Sequence, residues 1–162
     1  MAPILNKRYT QADNQPLPDF LREGGPFLQV LVHVPSALAA LLSSQNQVVP
    51  PPQPGLALID TGASGTCVHE PILTGLGLSP IGSTTSGTAA GPTQHDLYAV
   101  RLEFNADGID REFNSVAAVD LSGQFVNLNT GNQPIVALIG RDVMQDWLLV
   151  YNGPLGVITI AH

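Results

Sequence analysis

The stretch Leu56-Ala-Leu-Ile-Asp-Thr-Gly constrains the fold of this chain more than any other segment. Its first four residues are aliphatic, and they run directly into the acid Asp60, which Thr61 and Gly62 follow at once. A short apolar run of this kind is typical of a buried strand. Glycine lets the chain turn sharply, so that backbone N–H groups can approach the carboxylate. The stretch therefore predicts a rigidly placed carboxylate that could hold and activate a water.

The composition indicates one apolar, globular domain. Of the 162 residues, 44% are hydrophobic and 12% are charged, so the chain can bury a core without crosslinks. Its 16 glycines and 14 prolines favour many turns and short strands. The formal net charge is -7 and the 6 Lys and Arg residues form no cluster, which argues against nucleic acid and anionic membranes as partners.

Cysteine and histidine usage argues against metal sites and disulfides. Cys67 is the single cysteine, so neither an internal disulfide nor a zinc site of paired cysteines can form. Cys67 and His69 lie two apart but lack a third ligand, and the 4 histidines show no metal-ligand spacing. No apolar run approaches the ~20 residues of a membrane span, and the first residues lack the apolar core of a signal peptide. We expect a cytoplasmic protein without metal, cofactor or membrane partner.

The hydrophobic pattern predicts mostly β structure with one or two short helices. We expect an N-terminal arm over residues 1–25, loosely held, and one domain over residues 26–162. Residues 36–44 fit either a short helix or the return of the preceding strand, and residues 45–55 form a proline-rich loop. The pattern predicts strands at 26–35, 56–60, 109–119, 135–139 and 155–162, and a hairpin over 83–104. It also predicts a helical turn within 67–78 and a loop over 122–134. A short helix is expected to begin at Asp142, which would act as its N-cap.

Three segments in this order resemble the retropepsin-like aspartic proteases, the retroviral type of the pepsin clan. They are the loop Asp60-Thr-Gly-Ala-Ser, the small glycine-bearing segment 87–91, and Ala137-Leu-Ile-Gly-Arg-Asp. The resemblance covers roughly residues 26–161 and implies an all-β, closed barrel-like single lobe with a flap hairpin and one short C-terminal helix, active as a C2 homodimer. The residues that it implies for the site are the catalytic Asp60, the active-site loop Thr61, Gly62, Ala63 and Ser64, the flap Gly87, Thr88, Ala89, Ala90 and Gly91, and the ψ-loop and interface residues Ile139, Gly140, Arg141 and Asp142.

The chain carries one such acid, although peptide hydrolysis by carboxyl groups needs one as base and one as acid. Asp120-Leu-Ser-Gly has an inserted leucine, and Asn129-Thr-Gly cannot ionise. We therefore expect the second acid to be Asp60 of a second copy, brought close by a two-fold axis. The apolar terminal strand around residues 156–161 is expected at that interface, because it would be an exposed edge in a monomer.

The function that follows is a homodimeric aspartic endopeptidase acting on polypeptides. One alternative is a catalytically silent module of the same fold, used for dimerisation or peptide binding. The intact Asp60, Thr61 and Gly62 favour the enzyme, since a silent relative would be free to lose the acid. A zinc-dependent hydrolase is a third class, and the absence of a ligand set argues against it.

Overall fold

The computed structural model describes residues 4–9, 18–88, 91–104, 108–128 and 131–162. Strands dominate it, as the many turn residues lead one to expect. The strands are β1 (Ile4–Arg8), β2 (Phe27–His33), β3 (Gln53–Ile59), β4 (Cys67–His69), β5 (Gly82–Thr88), β6 (Gly91–Phe104), β7 (Ile109–Val119), β8 (Phe125–Leu128), β9 (Gly131–Ile139), β10 (Leu148–Asn152) and β11 (Val157–Ala161). The helices are α1 (Pro18–Gly24), α2 (Ser36–Ser44), α3 (Glu70–Gly75), α4 (Arg141–Met144) and a 3₁₀ turn at Gly153–Leu155.

Six strands close into a barrel in the order β2-β3-β9-β4-β7-β6, and β6 pairs back to β2. Alternating side chains of β2 and β6 point inward, so that Val30, Val32, Val100 and Leu102 are almost completely buried. Closure removes the free edges that an open sheet of this size would present. The β5–β6 hairpin and β8 extend outside this ring. The expected all-β single lobe is thus confirmed.

A second, three-stranded sheet has the order β1-β11-β10. The terminal strand β11 is its middle strand, paired with β1 on one side and β10 on the other. The expectation that β11 is an exposed edge was therefore wrong. The helix predicted to follow Asp142 ends at Met144, and the chain turns back at Gly153–Gly156 so that β10 can pair with β11. Gly156 has a φ of 59°, which glycine adopts without strain.

The described part of the predicted N-terminal arm packs on the domain. Strand β1 joins the small sheet, and Tyr9 is 2% exposed. Its hydroxyl donates to the carbonyl oxygen of Phe27 at 2.7 Å and accepts from the N–H of Phe27 at 2.8 Å. The rings of Phe20 and Phe27 pack against Tyr9, and Leu21 of α1 is fully buried. The expectation of a loosely held leader was wrong for these residues, while a domain boundary after residue 25 stays a prediction.

The structure decides one open alternative and corrects one expectation. Residues 36–44 form a helix, which was one of the two alternatives. The predicted loop 122–134 contains a hairpin, since β8 pairs with the first half of β9 from Phe125↔Pro134 to Leu128↔Gly131. Among the described residues no helix is long and apolar enough to cross a membrane.

Candidate active site

A parallel pair of strands brings the two halves of the site together. Strands β3 and β9 run side by side with Ala57 opposite Ala137 and Ile59 opposite Ile139. Because parallel strands end at the same edge, the residues that follow them, Asp60 and Gly140, become neighbours although they are far apart in sequence. The backbone N–H of Asp60 donates to the carbonyl oxygen of Ile139 at 3.0 Å, which continues the ladder by one step.

The Asp60 side chain is half-buried at the end of this strand. Its Oδ1 accepts a hydrogen bond from the backbone N–H of Gly62 at 2.8 Å. Gly62 fits there because a Cβ at this position would lie 3.1 Å from the same oxygen. Among the described residues no donor reaches Oδ2. One oxygen is therefore fixed by the loop, and the other is available to a water or a substrate.

Thr66 and Asp142 tie the Asp60 loop to the segment after β9. The Asp142 carboxylate accepts from the N–H of Thr66 at 3.0 Å and from its hydroxyl at 2.8 Å. The same hydroxyl accepts from the N–H of Gly140 at 3.0 Å, and Thr66 is 4% exposed. The interpretation of Asp142 as N-cap was wrong, because Gly140 occupies that position and Asp142 lies in the first turn of α4. Its carboxylate spans two loops instead.

Gly140 also crosses the Asp60 loop at close range. A Cβ at Gly140 would lie 2.4 Å from the carbonyl carbon of Gly65, a separation that real structures do not show. The backbone N–H groups of Arg141 and Asp142 donate to the carbonyl oxygens of Ala63 and Ser64, at 3.0 and 3.2 Å. A side chain at position 140 would therefore break a backbone-to-backbone junction rather than fill a space.

Arg141 adds a third link from the same segment. Its guanidinium donates to the carbonyl oxygen of Thr61 at 2.7 Å. Arg141, Thr61, Gly62 and Ser64 are all exposed in the single chain, next to the half-buried Asp60. The site therefore lies at the surface, with its polar loop residues facing outward.

The β5–β6 hairpin lies across a cleft of about 810 Å³ that Asp60 lines. The strands of the hairpin pair from Gly82↔Leu97 out to Thr88↔Gly91. Of the predicted flap residues, Gly87 and Gly91 lie on these strands, and Thr88 ends the first of them. Ala89 and Ala90 are outside the described residues. The cleft wall combines hydroxyl groups of the hairpin, Thr84, Thr85 and Ser86, with apolar side chains of the barrel such as Val116 and Leu138.

Cys67 lies in the wall of the same cleft, half-buried. Burial raises the pKa of its thiol to about 11, and the neighbouring carboxylates of Asp60 and Asp142 act in the same direction. The thiol is therefore protonated at neutral pH and behaves as a small, weakly polar side chain.

Two polar residues of this region were missed by the sequence analysis. Thr66 follows the recognised loop directly, yet a single threonine carries no signal until its partners in β9 and α4 are known. His95 lies in the cleft wall and contacts the hairpin. The rejected motif at Asp120 forms an exposed turn, in which Asp120 accepts from the N–H of Ser122 at 2.8 Å. In the described part of the chain, no three His, Cys, Asp or Glu side chains are grouped as metal ligands.

Comparison of the chain with known protein families and solved structures identifies the family to which it belongs. The sequence pattern of the aspartyl protease family matches residues 51–143, which extend from the proline-rich loop to α4 and include both segments of the site. The chain belongs to the aspartyl protease family. The solution structure of the Simian Foamy Virus (mac) protease is similar at 18% sequence identity and a TM-score of 0.41, over 74% of this chain and 92% of that one. No curated protein matches the chain.

Proposed function

We propose that the protein is a homodimeric aspartic endopeptidase of the retropepsin type, with Asp60 of each chain as the catalytic pair. The observation that carries the proposal is the placement of Asp60 at the cleft, with one carboxylate oxygen held by Gly62 and the other available. Family membership supports the same chemistry. Polypeptides are the proposed substrates, and a cytoplasmic location remains part of the proposal.

In the proposed mechanism, two Asp60 side chains share one proton, because two close carboxylates cannot both be ionised. The ionised member accepts a proton from the water that attacks the peptide carbonyl carbon. The protonated member donates its proton to the carbonyl oxygen, which gives a tetrahedral diol. The carboxyl group that took the water's proton then donates it to the amide nitrogen, and the other carboxylate accepts a proton from one diol hydroxyl. The C–N bond breaks, which releases the amine and the carboxylic acid and leaves one proton on the pair. The Gly62 N–H fixes the orientation of each carboxylate, so the pair needs little rearrangement during the reaction.

The proposed dimer is supported by what surrounds the acid in one chain. Thr61, Gly62 and Arg141 are exposed beside Asp60, where a second copy would cover them. On the small sheet, Ile4 and Leu148 both lie opposite Ala161 and are 61% and 66% exposed. Val150 on the same face of β10 is 48% exposed. Such apolar exposure on the two outer strands of one sheet face favours a protein interface, so the interface is proposed on β1 and β10 rather than on β11.

The hairpin is proposed to act as a flap over an extended peptide. Its strands β5 and β6 could pair with a substrate backbone as an added strand does, with side chains alternating between the flap and the barrel floor. The hydroxyl groups of Thr84 and Ser86 on one wall and Leu138 on the other would then meet alternate substrate side chains.

The test is the substitution Asp60→Asn. The amide keeps the size of the side chain but cannot accept the proton of the attacking water, so we expect cleavage of an unbiased peptide pool to fall at least about 10³-fold. Circular dichroism and sedimentation should match the wild type. Pepstatin should inhibit the wild-type activity.

Asp120→Asn is the matched control, because Asp120 belongs to the rejected motif and is exposed in a turn that asparagine also forms. It should retain wild-type activity. Undiminished turnover by Asp60→Asn would contradict the proposal. A wild-type protein that binds peptides and cleaves none would favour the silent binding module instead.

A further inference from the structure

The hairpin over the cleft leaves the barrel at Leu97. From Leu97 to Phe104, strand β6 pairs with β7, which is fixed in the barrel. Before Leu97, the residues of β6 pair only with β5 among the described strands, from Ser83↔Asp96 to Thr88↔Gly91. A two-stranded ribbon alone is marginally stable and twists freely. Its position over Asp60 therefore depends on what holds it at its base.

His95 lies two residues before Leu97, in the part of β6 that no longer pairs with β7. Its side chain contacts the strands on both sides. Its Nδ1 is 3.1 Å from the carbonyl oxygen of Ala118 on β7, and its Nε2 is 2.9 Å from Oγ of Ser86 on β5. A carbonyl oxygen only accepts, so Nδ1 carries the proton and donates to Ala118. In the neutral ring, Nε2 then accepts from the hydroxyl of Ser86. One side chain of β6 therefore connects both neighbouring strands where the β6–β7 ladder has ended.

We propose that His95 is a positioning residue that holds the hairpin over the Asp60 cleft by bridging Ser86 and Ala118. The proposal rests on the proposed function for its kinetic consequence, but the bridge itself is a property of the fold. Ala118 is a firm anchor, since it is 4% exposed and its strand also pairs with β4 at Val68. Ser86 is half-buried, whereas Thr84 and Thr85 beside it are exposed.

The ring of His95 also separates two spaces. It lines the cleft that holds Asp60, and with Val119 it lines an outer cavity of about 520 Å³. The outer cavity carries the carboxylates of Glu70, Asp96 and Asp120 and opens to solvent. The bridge therefore lies between the cleft and this outer cavity.

The alternative is that the β5–β6 ladder positions the hairpin without help. The substitution His95→Leu separates the two possibilities, because leucine has similar bulk and cannot form either hydrogen bond. Amide hydrogen exchange is the first measurement. Loss of both bonds should accelerate exchange of the amides of residues 83–88, 91 and 93–96 about tenfold or more, since each such bond has a modest net effect. The amides of β2 and β3 should exchange as in the wild type.

Three further variants refine the test. His95→Gln can donate to Ala118 and accept from Ser86, so it should restore most of the protection. Ser86→Ala removes one of the two bonds and should give an increase of about threefold to tenfold. Gln94→Leu is the matched control, because the Gln94 side chain donates to Ser83 within the hairpin at 3.3 Å and forms no hydrogen bond to another strand among the described residues. Its exchange should stay at the wild-type level.

Kinetics on one peptide give the second measurement. A hairpin that closes less readily should raise KM several-fold with a smaller change in kcat, whereas general destabilisation would lower kcat through loss of active protein. His95→Leu with wild-type exchange and wild-type KM would overturn the proposal. If the amides of β2 and β3 also exchange faster in His95→Leu, the Ser86→Ala variant is used for the decision instead. Wild-type exchange of the hairpin amides in Ser86→Ala then overturns the proposal. If the wild type cleaves no peptide, the proposed function fails while the exchange data still decide on the bridge.

Discussion

The Asp60 loop and the β5–β6 hairpin line the same cleft, but they are held in different ways. The loop is tied to the segment after β9 by Thr66, Asp142 and Gly140, with hydrogen bonds that involve both side chains and backbone. The hairpin is paired mainly with itself, and in the part of β6 that precedes Leu97 the His95 side chain donates a hydrogen bond to β7. The Asp60 loop is therefore a fixed wall of the cleft, whereas the β5–β6 hairpin is a wall that is held mainly where it joins the barrel.

This difference follows from what each wall has to do in the proposed reaction. Proton transfer needs the carboxylate oriented before the substrate arrives, and a loop with several hydrogen bonds to buried or part-buried groups achieves that. An extended peptide must also enter and leave, so the covering strands have to move. Changes to the fixed wall should lower stability and kcat, whereas changes to the hairpin should alter its exchange and KM.

Gly140→Ala should have the largest effect on the fixed wall. Its Cβ would lie 2.4 Å from backbone of Gly65, so either the Asp60 loop or α4 has to shift. We expect the free energy of unfolding to fall by about 3 kcal/mol or more, with loss of activity, as measured by urea denaturation and peptide cleavage. Failure to fold would be the extreme of the same effect.

Gly75→Ala is the control, since nothing lies within 4 Å of a Cβ there and the residue ends α3. It should be neutral or stabilise by about 0.5 kcal/mol. Equal free energies of unfolding for Gly140→Ala and Gly75→Ala would show that the close approach of Gly140 to Gly65 does not position the Asp60 loop.

Thr66→Val tests the hydrogen bonds of the same wall without changing its shape. Valine leaves the N–H of Gly140 without its acceptor and removes a donor to Asp142. A loss of about 2 kcal/mol in the free energy of unfolding is expected, because a buried donor is left unpaired. Thr74→Val, at an exposed hydroxyl of α3 bonded only within its own helix, should change stability by less than about 0.5 kcal/mol. If Thr66→Val lowers the free energy of unfolding no more than Thr74→Val does, the hydrogen bonds from Thr66 to Asp142 and Gly140 do not stabilise this wall.

Cys67 gives a smaller, purely chemical test of the cleft wall. A pKa near 11 instead of 9.0 leaves about 100-fold less thiolate at pH 8, so alkylation by iodoacetamide should be slower than for an ordinary thiol by about that factor. The rate should rise steeply only as the pH approaches the raised value. Denaturation in urea should restore ordinary reactivity. Rapid alkylation of the folded protein at pH 8 would show that the thiol is not buried beside Asp60 and Asp142.

The segments with strong local signals were predicted well. Residues 109–119 form a strand with the predicted bounds, and the hairpin lies where it was predicted. The Asp60 strand was also predicted, although it begins at Gln53, inside the predicted loop 45–55. Each is marked by apolar alternation or by glycine at a turn. The family resemblance then gave their arrangement, which local patterns could not.

The errors have a common physical origin in strand pairing, because a segment read by itself does not show which strand will lie beside it. No strand was predicted at Leu148 to Asn152, and these residues become β10 because β11 lies beside them. Ile4 to Arg8 resemble a polar leader, and they become a strand on the other side of β11. The roles of Thr66 and His95 depend on partners 76 and 23 residues away, which no local pattern reveals.

The most direct test of the central claim mixes wild-type chains with Asp60→Asn chains at constant total concentration, after unfolding and refolding to randomise any dimers. If each active site needs Asp60 from both chains, activity should follow the square of the wild-type fraction, because mixed dimers are inactive. An equal mixture would then retain about one quarter of the wild-type activity. A linear dependence, with about one half of the activity retained, would mean that one chain carries a complete site and would contradict the shared catalytic pair.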